Sequence, residues 1–171
     1  QLGMHATILR PAYFMQNDDF LIQSDVLERG VYPMPIGSAG ISMVDARDVA
    51  ELAARHLLRR NAASGPLPTE VLDVVGPTAL TGQTAAAVWS DVLGKTVRYA
   101  GDDTGPFETR FQSFAPGWMA YDMRLMMARM QMDGELGSAA AVERMQHELG
   151  TSLRSYRDYA RETAGRWRAA Q

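Results

Sequence analysis

The apolar positions of this chain follow two spacings, one typical of short buried strands and one typical of helices. Residues 6–10 form a mostly apolar run without polar alternation, which favours a strand that is covered on both faces. Pro11 ends this strand. Apolar residues then recur at helical spacing as far as Gly30, so one helix is predicted there: Phe14, Leu21, Ile22, Val26 and Leu27.

The second predicted strand is "ISMV" at residues 41–44, and a helix follows it directly. Asp45 is placed to cap that helix, with Asp48 at the third helical position in a variant of the capping box. The preceding residues 31–40 contain two prolines and two glycines, which predicts a loop. This order repeats the arrangement of strand followed by helix.

A third strand is predicted at residues 71–75, where Gly76 follows the apolar run. Thr81 then begins a helix that Gly94 ends, and residues 96–100 predict a fourth strand. After about residue 105 the chain is predicted to be wholly helical. Three long helices are expected, at about 117–133, 138–149 and 155–168.

The order of elements predicts an α/β fold, the C-terminal part of a Rossmann-type parallel sheet followed by a helical subdomain. Residues 1–105 are assigned to the α/β part and residues 106–171 to the helical, substrate-side part. We expect the sheet to have an exposed or partner-covered edge, because no earlier strands are present beside residues 6–10.

Composition and charge narrow the class of protein. The chain has 171 residues, 46% of them apolar and 22% charged, which suits one globular domain. It has no cysteine, so disulfides and thiolate metal sites are excluded. The net charge of −3 argues against nucleic acid or an anionic membrane as partner. No apolar stretch is long enough to span a membrane and no signal peptide is found, so a cytoplasmic location is expected.

Motifs for nucleotide or proton chemistry are largely missing from the sequence. "GKT" at residues 94–96 is not a phosphate loop, because Trp89 stands where the loop needs glycine. No G-x-G-x-x-G occurs in the sequence. A Tyr-x-x-x-Lys pair is also absent, because Asp91 stands four residues before Lys95, where the motif needs tyrosine. "GELG" at 134–137 is interpreted as turn-forming. No metal site is expected, since the histidines are scattered: His5, His56 and His147.

One predicted helix carries an unusual number of methionines on one face. They follow helical spacing: Met119, Met123, Met126, Met127 and Met130. Methionine fills irregular gaps, so this face suits adaptable packing against the rest of the molecule. It also suits an adaptable wall over an apolar substrate pocket. The two interpretations are compatible, and the sequence leaves both open.

The segment "LRPAYFMQN" at residues 9–17 is the strongest candidate for a ligand site. Ligands of open α/β sheets bind in the crevice beyond the carboxyl ends of the strands, where this turn lies. Pro11 makes the turn rigid, Phe14 offers an aromatic wall, and Asn17 offers an amide that donates and accepts. The alternative is a helix that simply begins after a strand.

Four blocks of the sequence, in this order and spacing, resemble the NmrA-like family of atypical short-chain dehydrogenases/reductases. They are "TILRPAYFMQN", "ISMVDARDVAELAARHLL", "VLDVVGPTALTGQTAAAVWSDVLGKTVRYAG" and "LGTSLRSYRDYARETAGRW". The resemblance covers nearly the whole chain. It implies that the chain is the C-terminal portion of such a protein, without the N-terminal half that carries the glycine-rich nucleotide loop. Since residue 1 is Gln, a longer product is also expected on that ground.

The resemblance implies NAD(P)H as cofactor of the complete protein, and none for the isolated segment. A hydride would pass to a small carbonyl, quinone or other unsaturated substrate. The residues that would border the nicotinamide are Pro11, Ala12 and Tyr13, and Tyr13 is either a proton donor or a packing residue. The residues that would face the substrate are Phe14, Asn17, Met119, Met123 and Met126. No catalytic residue is assigned.

The resemblance also leaves a second function open. Some relatives resemble redox sensors, which bind the dinucleotide without turnover and act through a protein partner. The expected partners are therefore a small-molecule substrate and either a second copy of the chain or the missing N-terminal half. No nucleic acid and no membrane are expected.

Overall fold

Residues 5–169 are described in this computed structural model, and they form short strands and longer helices in alternation. The strands are β1 (Thr7–Pro11), β2 (Val31–Tyr32), β3 (Glu70–Val74) and β4 (Arg98–Tyr99). The helices are α1 (Asn17–Leu21), α2 (Ala46–Ala62), α3 (Gly82–Leu93), α4 (Gly105–Gln112), α5 (Gly117–Asp133), α6 (Ala139–Leu149) and α7 (Tyr156–Ala169). A π-helical turn, Asp25–Arg29, follows α1.

The strands form two parallel pairs. In the first pair β1 lies beside β3, with Thr7 opposite Glu70 and Pro11 opposite Val74. In the second pair β2 lies beside β4. Parallel neighbours need a crossover, and α2 and α3 lie between the paired strands in sequence. The predicted α/β class is confirmed.

Helix ends follow local sequence signals closely. The Asp45 carboxylate accepts the Arg47 N–H at 2.9 Å at the start of α2. At the start of α3, the hydroxyl of Thr81 accepts the N–H of Thr84 while the Thr84 hydroxyl accepts the N–H of Thr81. Gly94 ends this helix with a φ of 65°, which suits glycine.

The predicted helix before Gly30 is broken into two pieces. The α-helix Asn17–Leu21 is interrupted at Ile22, and a π-helical turn then widens the backbone over Asp25–Arg29. The wider turn places the buried Asp25 carboxylate between the guanidinium groups of Arg29, at 2.8 Å, and Arg110. The pair with Arg110 is a tertiary contact across 85 residues, so helical periodicity does not reveal it.

Two other local predictions need correction. Residues 41–44 form no regular strand, because Ile41 makes single bridges to Leu80 and Glu135 while Val44 bridges to Phe14. Asp48 does not complete a capping box. Its carboxylate accepts the Arg154 N–H at 2.9 Å and pairs with the Arg154 guanidinium. Asp48 thus binds Arg154, which is 106 residues away, and not the backbone at the start of its own helix.

Two apolar cores hold the elements together. The first contains the stacked rings of Trp89 on α3 and Trp167 on α7, whose centroids lie 4.9 Å apart. The second lies under β1 and β3 and includes Leu72 and Met145. Late helices therefore contribute to both cores, and the division at residues 105 and 106 stays a prediction.

One face of the β1–β3 pair is open, so the prediction that the first strand is covered on both faces is wrong within the described residues. Ile8 and Val71 are register partners on this face, and both are nearly half exposed. Within residues 5–169 no other strand pairs with β1. None of the helices in this range has the length and hydrophobicity that crossing a bilayer requires.

Candidate functional site

A cleft of 340 Å³ opens where β1 and β3 end. One wall comes from the end of β1 and the residues after it, and the other from the end of β3 and the segment before α6. The lining residues are Arg10, Pro11, Ala12, Asp73, Val75, Glu135, Leu136, Gly137 and Ser138. The cleft therefore lies at the carboxyl ends of two parallel strands, where open α/β sheets bind ligands.

Backbone hydrogen bonds explain why a cleft forms at this point. The Ala12 N–H donates to the Val74 carbonyl at 2.9 Å, which extends the β1–β3 pairing by one residue. The Tyr13 carbonyl then accepts the Val44 N–H at 2.9 Å instead of continuing along β3. The segments that follow β1 and β3 diverge at this point, and residues 134–137 fill part of the space between them.

Glycines allow this segment to approach the strand ends. Gly134 has a φ of 69°, which other residues rarely adopt. A Cβ atom on Gly137 would lie 2.5 Å from Cγ2 of Val75, closer than side chains tolerate. The "GELG" segment is therefore more than a turn, because its glycines bring Glu135 to the cleft.

Glu135 is the most distinctive polar group of the cleft. Its carboxylate accepts the Tyr13 N–H at 3.0 Å, and its backbone is held by Gly40 and Ser42. Partial burial raises the pKa of Glu135, and the hydrogen bond from Tyr13 lowers it by less. The carboxylate can thus accept further hydrogen bonds or hold a proton more readily than an exposed glutamate.

The remaining polar groups of the cleft are already paired. The Arg10 guanidinium contacts the Asp73 carboxylate at 2.7 Å, and both side chains are exposed. Ser138 caps α6, because its hydroxyl accepts the Ala141 N–H at 3.1 Å. Among the ionisable side chains that line the cleft, only Glu135 forms no ion pair within residues 5–169.

The residues predicted to border a nicotinamide divide between the cleft and the first core. Pro11 and Ala12 line the cleft. Tyr13 presents its N–H to the cleft side, while its ring belongs to the first core. Burial and the nearby Asp18 carboxylate raise the pKa of Tyr13 well above its ordinary value, and a hydrogen bond with Asn17 opposes this rise.

The residues predicted to face a substrate are not brought into one group. Phe14 packs against the second core, whereas Met123 and Met126 pack against the first. Asn17 begins α1 and is partly buried, as is Met119 on α5. The methionine face thus serves in packing, and its role toward a substrate stays a prediction.

Sequence reasoning did not identify Glu135 as a site residue. The available signal was a lone acidic residue between two closely spaced glycines, which also occurs in ordinary turns. Only the position of this segment against Val75 and Tyr13 distinguishes it from a turn.

No family model matches the chain. An NAD(P)H azoreductase from Xenophilus azovorans is 37% identical over 97 residues, which make up 57% of this chain and 32% of that protein. The (4-alkanoyl-5-oxo-2,5-dihydrofuran-3-yl)methyl phosphate reductase of Streptomyces griseus is 28% identical over 162 residues, or 95% of this chain and 54% of that protein. The chain thus spans about a third to a half of the length of these relatives.

Solved structures share the fold. The NADPH complex of an NADPH-dependent quinone oxidoreductase from Escherichia coli matches with a TM-score of 0.76 at 20% identity, covering 94% of this chain and 54% of that chain. Triphenylmethane reductase from Citrobacter, complexed with NADP(H), matches with a TM-score of 0.72 at 19% identity, covering 92% and 52%. The chain therefore has a Rossmann-like α/β fold.

Proposed function

We propose that this chain is the C-terminal part of an NAD(P)H-dependent reductase of the NmrA-like type. In this proposal the cleft at the ends of β1 and β3 borders the nicotinamide and the substrate. The observation that carries the proposal is the position of the cleft at the carboxyl ends of parallel strands. The names of the relatives, which include an NAD(P)H azoreductase, support the same class of reaction.

The chemistry of the lining suits one face of a nicotinamide ring. Pro11 and Ala12 would form a rigid, low wall for the ring, since proline fixes the backbone and alanine leaves space. The Glu135 carboxylate would accept a hydrogen bond from the carboxamide. When bound, the cofactor supplies a hydride, and these residues would orient it and limit water around it.

Two observations support a longer protein. The relatives are two to three times as long as the segment they share with this chain. The open face of the β1–β3 pair also exposes Ile8 and Val71, which a further layer of an α/β sheet would cover. The nucleotide-binding half would then supply the anion site for the pyrophosphate.

NADPH binding by the 171-residue chain alone tests whether the nucleotide site lies in another segment. Calorimetry with NADPH should give a dissociation constant weaker than about 1 mM, because no glycine-rich helix start holds the pyrophosphate. A micromolar constant would contradict the assignment of the nucleotide site to another segment.

Turnover by the longer protein tests the reductase itself. NADPH oxidation should be measured with a quinone and with an azo dye as acceptors. Ala12→Leu should raise the KM for NADPH about tenfold or more, because the added methyl groups fill the cleft. Ala62→Leu, at the exposed end of α2, is the matched control and should leave the KM unchanged.

The same assay separates the two candidate functions. NADPH binding without turnover on any acceptor would favour a redox sensor, which the absence of a Tyr-x-x-x-Lys pair from this segment also suits. If Ala12→Leu behaves like its control, the cleft is not the nicotinamide site.

A further inference from the structure

Helix α5 is apolar on two opposite faces, but only one of them is covered. Ala120 and Met127 are buried on the inner face, and Met123, Met126 and Met130 pack against the first core beside them. On the outer face lie Trp118, Tyr121, Leu125 and Met132, which we call the α5 stripe.

The α5 stripe has the spacing of a helix–helix contact. Its members follow one another by three, four and seven residues, which places them along one side of α5. Trp118 is 65% exposed and Met132 is 75% exposed. Phe114 extends the apolar surface beyond the helix, and its ring contacts exposed Phe20 edge-on at 6.3 Å.

The area of this surface equals that of the largest apolar patch on a typical monomer, which is often an interaction site. The aromatic side chains of Phe114, Trp118 and Tyr121 are each about half exposed or more. Together with Leu125 and Met132 they give on the order of 500 Å² of apolar surface. A standard protein interface covers about 800 Å² on each partner. The stripe could therefore form the apolar centre of one such interface, with its charged flanks as the rim.

The charges beside the stripe favour a second copy of this chain as the occupant. Asp122 and Arg129 lie on the same flank, seven residues apart, on either side of Leu125. Asp122 forms no ion pair within residues 5–169, and exposed Arg129 pairs only within its own helix, with Asp133. A two-fold axis through Leu125 brings Asp122 of each copy near Arg129 of the other.

The same axis also pairs the ends of the stripe. Trp118 and Met132 are each seven residues from Leu125, so Trp118 of one copy would meet Met132 of the other. Contacts between sulfur and aromatic rings are favourable. Tyr121 is already positioned, because the Arg124 guanidinium lies 4.9 Å from its ring centre and pairs with Glu108.

We propose that the α5 stripe is the contact surface of a two-fold dimer of this chain, in which two α5 helices pack antiparallel across Leu125. The 171-residue chain should show a reversible equilibrium between monomer and dimer in sedimentation experiments over a wide range of concentration. Trp118→Glu should weaken dimerisation by about 100-fold or more, because each dimer buries the changed residue twice. Leu58→Glu, on the exposed side of α2, should not change it.

Charge reversal tests whether the α5 stripe contacts a second copy of this chain. Asp122→Arg and Arg129→Asp should each weaken the dimer about tenfold, because each places like charges opposite each other at two symmetric positions. The double variant should recover dimerisation to within about threefold, because the pairs are restored with exchanged signs. Circular dichroism should show the same helix content in all variants.

Other results would overturn the proposal. A chain that stays monomeric, with a stripe protected only in a longer protein, would assign the stripe to the rest of that protein. Association that survives Trp118→Glu, or single charge variants whose effects add in the double variant, would exclude an antiparallel α5 contact between two copies.

Discussion

Two carboxylates near Tyr13 have raised pKa values for the same reason. Asp18 on α1 accepts hydrogen bonds from Tyr32 on β2 and Tyr156 on α7, and Glu135 lies in the cleft. Tyr13 lies between them, with its N–H donating to Glu135 and its ring near Asp18. Burial is the main cause of both shifts.

The surroundings of the two groups differ greatly. Asp18 is fully buried, and one of its oxygens accepts hydrogen bonds from the hydroxyls of Tyr32, at 3.0 Å, and Tyr156. The Trp89 N–H donates to the Tyr156 hydroxyl at 2.9 Å and extends this network. Glu135 has one backbone donor and faces an open cleft.

The comparison shows that a perturbed pKa does not by itself locate a functional site. Burial raises the pKa of Asp18 to about 7, although both tyrosine hydrogen bonds oppose the rise. Perturbed groups do cluster at functional sites, but buried structural networks perturb them as well. Access to the cleft, rather than the pKa, distinguishes Glu135.

The largest expected effect concerns the pH dependence of stability. The folded-state pKa of Asp18 lies above its ordinary value of 3.8, so the folded protein holds this proton more tightly than the unfolded chain. Its contribution to the free energy of unfolding is therefore present below about pH 4 and is lost as the pH rises through about 7. The slope contributed by Asp18 should reach about −1.4 kcal/mol per pH unit within this window.

Asp18→Asn removes this proton equilibrium and should flatten the curve between pH 4 and pH 7. Urea unfolding at several pH values measures the slopes. Asp73→Asn, at an exposed ion pair, is the control and should keep the wild-type slope. Equal slopes for Asp18→Asn and the wild type would show that Asp18 is already ionised in the fold.

The second prediction compares two tyrosines of α7, one inside the hydrogen-bond network of Asp18 and one outside it. Tyr156→Phe should lower the free energy of unfolding by about 1–3 kcal/mol, because the Trp89 N–H loses its acceptor and Asp18 loses a donor. Tyr159→Phe is the matched control, since the Tyr159 hydroxyl takes no part in the hydrogen bonds that join Asp18, Tyr32, Tyr156 and Trp89. It should change stability by less than about 0.5 kcal/mol. Similar losses for the two variants would contradict the special role of the Asp18 network.

The smallest effect is expected in the cleft. Glu135→Gln keeps an acceptor for the Tyr13 N–H and should change the free energy of unfolding by less than about 0.5 kcal/mol at neutral pH. Glu135→Ala removes that acceptor and should cost about 1 kcal/mol. A loss from Glu135→Gln as large as that from Tyr156→Phe would make Glu135 structural, like Asp18.

Most helix ends lie where local sequence signals predict them. Helix α5 was predicted over residues 117–133 and is observed there, because Pro116 and Gly134 bound a run of good helix formers. The capped starts of α2 and α3 also lie where the sequence places them. Such signals act within one turn, so neighbouring residues suffice to encode them.

Contacts between distant segments decided the rest. Asp25 of the π-turn pairs with Arg110, and Asp48 binds Arg154 rather than its own helix start. The two-residue strand β2 lies in a predicted loop, and it forms because β4 lies beside it. Strand pairing and ion pairing depend on partners that periodicity along one segment does not specify.

The candidate site divides in the same way. The predicted turn at Pro11 is wrong, since Pro11 is the last residue of β1 and the Ala12 N–H still donates to the Val74 carbonyl. The strand that leads to this wall of the cleft followed from sequence alone. The opposing wall did not, because Glu135 is 122 residues from Tyr13 and reaches it only when Gly137 packs on Val75. The sequence by itself determined this strand and most helix ends, because they depend on neighbouring residues, and the tertiary structure decided which carboxylate lies in the cleft and which in the core.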